Sequence, residues 1–110
     1  MDQTFELVVA VVKRGMGDKA VAAAVEKGAR GVTIISGRSA GSDEAERVFG
    51  LAIEPERDVI LATSPRGISD KVAEAIDEVA EVRTPGNGYI LILPVARGLS
   101  LSKLVPDFNR

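Results

Sequence analysis

The chain contains no cysteine, no histidine and no tryptophan, and only 4% of its 110 residues are aromatic. Without cysteine there is no disulfide, no thiolate nucleophile and no thiolate metal site. Without histidine there is no Ser-His-Asp triad, none of the usual zinc sites, and no side chain that titrates near neutral pH without help. No apolar run approaches the ~20 residues needed to cross a bilayer, and Met1 to Thr4 is too polar to open a secretory signal. The expectation is a soluble cytoplasmic protein without direct membrane insertion. A net charge of −2 provides no general attraction for phosphate backbones, so nucleic acid is not an expected partner. What the chain does have is an apolar fraction of 45%, mostly Val, Ile, Leu and Ala. That is enough for one core, and the length suits one domain, 1–110.

Hydrophobic patterning divides this domain into six elements. Phe5 to Val12 is apolar on consecutive residues, as in a strand covered on both faces. A basic loop, Lys13 to Gly17, leads to a helix predicted through Lys27, with Asp18 as N-cap and Gly28 as its stop. Lys13 and Arg14, just ahead of that helix, could hold an anion or simply form a solvated loop. The second strand is Gly31 to Ile35 and the third Asp58 to Ser64, both rich in branched residues. Ser64-Pro65 suits a helix entrance with proline in the first turn. Ile68, Val72, Ala75, Ile76 and Val79 then recur at helical spacing, with acidic and basic residues opposite. Arg83 to Gly88 breaks the helix, and Tyr89 to Leu93, closed by Pro94, is the fourth strand. The tail, about 98–110, has no readable conformation.

The order strand, helix, strand, strand, helix, strand is the split βαβ, a ferredoxin-like α+β fold. Right-handed crossovers place both helices on one face of a four-stranded antiparallel sheet. The opposite face is left bare, although strands one and four are apolar on both sides. An exposed patch of that kind calls for self-association through the open face.

Between strands two and three lies an excursion, about 36–57, far longer than a strand reversal requires. Gly37, Gly41 and Ser36, Ser39 and Ser42 make its first half pliable. Asp43, Glu44 and Glu46 make it acidic around Arg47, and Val48, Phe49 and Leu51 add an apolar anchor. Together these seven residues are the candidate partner-binding set, although the anchor could equally fold back on its own assembly.

Several stretches resemble the PII nitrogen-regulatory protein family. They are Gly28 to Ile34, the long excursion, the helix after Pro65, and Thr84-Pro85-Gly86-Asn87-Gly88-Tyr89-Ile90 followed by Leu93-Pro94-Val95-Ala96-Arg97. The similarity runs from Phe5 to about Leu101. It implies a non-catalytic homotrimer with sheets packed inside, whose T-loop, here the excursion, contacts a regulated enzyme or membrane transporter. It also implies an effector site between subunits, bounded by the base of that loop and a Gly-rich B-loop before strand four. The B-loop here is short, with Tyr89 where the family has a phosphate-reaching lysine. Ser100 and Ser102 stand at the family's C-terminal arginine pair. Both departures remove charges that hold a triphosphate, so the expectation is no required cofactor and, as effector, an adenine nucleotide (AMP, ADP or ATP) bound other than in the family's usual ATP mode, with another small anion as the alternative.

The resemblance marks Thr33, Gly37, Arg38, Gly41, Arg83, Thr84, Gly86, Asn87, Gly88 and Arg97 as the candidate ligand-binding set. Glycine permits the positive φ of a backbone anion cradle, and arginine forks match phosphate oxygens. Read alone, Gly86-Asn87-Gly88 is a plain turn between helix and strand, and Thr33 an ordinary strand residue. A protein-interaction module with a vestigial cleft is the alternative function. An acylphosphatase-like enzyme is not expected, because Arg30-Gly31-Val32 follows a helix rather than the first strand.

Overall fold

The computed structural model describes residues 5–40 and 56–100. Strand β1 is Phe5–Lys13, helix α1 Gly17–Glu26, strand β2 Arg30–Arg38, strand β3 Glu56–Pro65, helix α2 Ser69–Ala80 and strand β4 Gly88–Pro94. The sheet order is β2-β3-β1-β4 and every neighbouring pair is antiparallel. This is the expected βαββαβ arrangement. The excursion leaves from Arg38 and returns at Glu56, so β2 and β3 are longer at that end than the branched residues alone indicated.

Alternation along the strands divides the sheet into two unlike faces. Val8, Ala10 and Val12 of β1 and Ile60 and Ala62 of β3 turn toward the helices and are fully buried. Ala20 and Ala24 of α1, with Val72 and Ile76 of α2, close over them. Alanines on α1 let that helix lie close to the sheet, so a thin core of small side chains still excludes water. On the other face Val9 stands opposite Leu61 and Leu91. No described element covers this side: Leu91 is 49% exposed, Tyr89 54% and Ile35 46%.

Three local expectations are corrected. Asp18 does not cap α1; it lies inside the first turn, and the N-cap is Met16, which makes no side-chain capping bond. The acceptor comes instead from the far end of β3, where Asp58 Oδ2 takes the N–H groups of Gly15 and Gly17, each at 2.9 Å. The anion position ahead of α1 is therefore filled by the chain's own carboxylate, at the end of the helix where negative charge is favoured. Arg14 beside it pairs with Glu56. Pro65 does not open α2. It ends β3, and α2 begins four residues later behind Ile68.

Two glycines are required by their surroundings. Gly28 ends α1 at φ +108, the left-handed conformation expected of a helix stop. Gly88 has φ +116, and a Cβ there would lie 1.8 Å from the Val11 carbonyl oxygen. Replacing Gly88 by Ala combines backbone strain with a collision against backbone, and the expected loss is about 3 kcal/mol, read as a lowered urea midpoint. Asp58→Ala leaves two helix-terminal donors without their acceptor and should cost about 1 kcal/mol, typical of a lost cap. Asp58→Asn keeps an acceptor oxygen and should lose less; equal losses in the same urea titration would show that the carboxylate does not cap α1.

Candidate functional site

One end of the sheet gathers the features that bear on function: the end of β2, the start of β3, and the turn before β4. Strand pairing places Gly37 opposite Arg57, and Arg57 opposite Lys13. Arg57 has the same parity along β3 as Val59 and Leu61, so its side chain lies on the face without helices. It crosses that face to form two bonds, from Nε to Ser39 Oγ at 3.2 Å and from Nη2 to the Gly86 carbonyl at 2.9 Å. A single guanidinium thus joins the base of the excursion to the turn before β4.

Beneath these contacts is a recess of about 270 Å³, walled by Arg38, Ser39, Arg57 and Tyr89 over Val11 and Val59. Its described lining includes two arginines and no carboxylate, together with apolar surface and one aromatic ring. Such a lining can take a small oxyanion that carries an apolar or flat body, since guanidinium forks fit carboxylate and phosphate oxygens.

The turn itself is braced from within. Asn87 N–H donates to the Thr84 carbonyl at 3.0 Å and Thr84 N–H to the Glu81 carbonyl at 3.1 Å. The Asn87 side-chain amide also reaches the Glu81 carbonyl, at 3.0 Å. Asn87 therefore fastens the turn to the end of α2, where Glu81 itself is left-handed at φ 51. Gly86 and Gly88 supply positive φ on either side of it.

The other expected ligand residues are dispersed. Arg83 turns toward α2: its guanidinium donates to Glu74 at 2.9 and 3.2 Å and to Asp77 at 2.8 Å, and its N–H bonds Asp77 Oδ1. The hydrogen bond to Glu74, and then the charge of Asp77, raise the Arg83 guanidinium above its ordinary value. This cluster rims a second recess of about 370 Å³ between α2 and β4, floored by Ile90 and Ile92 and bordered also by Asp70. Although larger, it places three carboxylates around one arginine, which opposes an anion. Thr33 is exposed on the edge strand β2, and Arg97 is exposed beyond β4. Gly41 and the partner-binding set Asp43, Glu44, Glu46, Arg47, Val48, Phe49 and Leu51 lie outside the described residues.

Of the expected set, then, Gly37, Arg38 and Gly86 meet at one place, joined by Arg57, Ser39 and Tyr89, none of which the sequence assigned to ligand binding. Strand parity was the signal for Arg57. Two residues before Val59 it must share Val59's face, once β3 is known to begin at Glu56 rather than Asp58. Among the described residues no group of His, Cys, Asp or Glu is arranged to hold a metal ion. No described helix is long and apolar enough to cross a membrane.

No protein-family model matches the sequence, and no curated protein matches it significantly. Solved structures do. PII from Arabidopsis thaliana, crystallised with citrate bound, superposes with a TM-score of 0.66 at 26% identity, over 86% of this chain and 79% of that one. A DUF3240 family protein from Shewanella baltica gives 0.67 at 16% identity, over 93% of this chain and 100% of its own. A Bacillus cereus protein related to NIF3 gives 0.68 at 15% identity, over 86% of this chain but only 26% of that longer one. With its βαββαβ order, its one-sided helix layer and these three neighbours, the chain is a protein of the PII-like fold.

Proposed function

We propose that this chain is a PII-like regulatory protein, a homotrimer that binds a small anionic effector at the base of its excursion. The excursion, 36–57, then engages or releases a regulated enzyme or transporter. The observation that carries this reading is the recess walled by Arg38 and Arg57, with no carboxylate among its described lining residues, at the point where the excursion begins and the Gly86 turn approaches. An effector held there touches the root of the arm, so binding energy can shift the arm between states of different partner affinity.

Effector class follows from the lining. A single guanidinium fork, that of Arg57, suits one compact anionic group better than a triphosphate, and Tyr89 with Val11 and Val59 offers a surface for a ring or an aliphatic body. AMP or ADP fits that description more closely than ATP. So does a small carboxylate, the class of molecule bound to the Arabidopsis PII. No step of this scheme needs a catalytic group. The runner-up is a protein-interaction module whose recess binds nothing, and the free apolar face alone would support it.

Calorimetry should show AMP, ADP or citrate binding in the micromolar to low-millimolar range, with ATP weaker than AMP. Silence from all four at millimolar concentration would leave only the interaction module. Trimerisation has its own check. Burying an open face of Leu, Ile and Val is worth about 25 cal/mol per Å² of apolar area removed from water. Sedimentation should therefore find three chains in the wild type, and smaller species after Leu61→Asp or Leu91→Asp, which put charge on that face. A wild-type monomer at micromolar concentration would refute the intersubunit site.

A further inference from the structure

Strand β4 ends the sheet, and among the described residues nothing pairs with its outer side. The Val95 N–H donates to the Phe5 carbonyl at 3.0 Å, in line with the register that sets Pro94 opposite Glu6. Antiparallel hydrogen bonding alternates along a strand, so Leu93, Leu91 and Tyr89 likewise turn their backbone groups toward β1. Ile90 and Ile92 turn theirs to the open edge. Edges of this kind are ordinarily blunted by charge, proline or a bulge. The opposite edge, β2, has Arg30 and Arg38 at its ends and a register shift between Arg30 and Val32. From Tyr89 to Leu93 there is no charge, no proline and no register shift.

Beside this edge lies the recess of about 370 Å³ between α2 and β4. Ile90 and Ile92 stand opposite Ala10 and Val8, so their side chains floor the recess on the helix side, away from the bare face that a trimer would bury. Asp70, Glu74 and Asp77 rim it, with Arg83 as the one cation of the described lining. Arg83 engages Glu74 and Asp77, and among the described residues Asp70 has no ion pair.

We infer that this edge and recess dock an extended segment of another protein in which lysine alternates with apolar residues. The segment adds a fifth strand, its backbone pairing with Ile90 and Ile92. Every second side chain then lies over the recess. A lysine there lays its aliphatic stem on the two isoleucines and carries its ammonium to the carboxylate rim. The spacings agree, since alternate residues of a strand are about 7 Å apart, and Asp70 and Glu74, four apart on a helix, are separated by about 6 Å along its axis. A second copy of β4 is disfavoured, because pairing two such edges would set two acidic rims against each other. Docking here needs no effector at the base of the excursion.

The test titrates the full chain with the peptide acetyl-Val-Lys-Val-Lys-Val-amide by calorimetry and follows amide exchange at Ile90 and Ile92. The peptide should bind at submillimolar concentration, more weakly as salt is raised, and slow exchange at both amides. The same peptide with glutamate for lysine should not bind. Methylating the two lysine backbone nitrogens, which face β4, should abolish binding; methylating the valine nitrogens, which face solvent, should spare it. Asp70→Lys, confirmed folded by its thermal transition, should weaken binding at least about tenfold.

A lysine peptide that fails to bind, that binds no better than its glutamate counterpart, or that binds Asp70→Lys within twofold of the wild type overturns the docking site. Equal loss from both methylations does the same. Protection of Ile90 and Ile92 in the free chain also overturns it: residues 101–110 are then the occupant if protection is independent of chain concentration, and a second copy if it grows with concentration.

Discussion

Two helices can shield one side of a four-stranded sheet and no more. The consequences run through the whole molecule. On the covered side Val8, Ala10, Val12, Ile60 and Ala62 meet Ala20, Ala24, Val72 and Ile76, and among the described residues the core closes without a buried charge. On the other side Val9, Leu61 and Leu91 form an apolar surface of the same composition with nothing described above it. Since the hydrophobic effect scales with area and not with direction, both sides favour burial. The described elements satisfy one side and leave the other uncovered.

The period-two alternation that builds those faces also organises the base of the excursion. Asp58 and Arg57 are adjacent on β3 and therefore point to opposite sides. Asp58 shares the helix side with Ile60 and reaches the start of α1, where it accepts from the N–H groups of Gly15 and Gly17. Arg57 goes to the bare side and reaches Ser39 and Gly86. Two consecutive residues thus fasten the returning end of the excursion to the folded body from both faces.

Much of the architecture is legible in residue patterns. Strands β1 and β4 announce themselves as unbroken apolar runs, α2 by Ile68, Val72, Ile76 and Val79 at helical spacing, and the end of α1 by Gly28. The resemblance singled out Gly37, Arg38 and Gly86; Gly37 and Arg38 line one recess, and Gly86 is tied to its wall by Arg57. Less legible were features whose partners are distant in sequence. A local rule makes Asp18 the cap of α1, whereas the carboxylate that serves comes from 41 residues beyond Gly17. Arg83 has the chemistry of a phosphate ligand, but nine residues upstream Glu74 lies within its reach across the end of α2. Pro65 fits a helix entrance by type, yet sheet pairing with Phe5 continues through it.

Composition and periodicity by themselves determined the elements, their order, the one-sided helix layer, the strands apolar on both sides, and the exclusion of thiol and imidazole chemistry. These depend on side-chain type and local spacing, which a linear reading contains. Only the tertiary structure decided which arginine faces the recess and which is held by acids, which carboxylate caps α1, and which of two recesses has no carboxylate among its described lining residues. Each of those is a distance between residues tens of positions apart, set by strand register, and a shift of one residue in that register would have sent every one of the side chains to the opposite face.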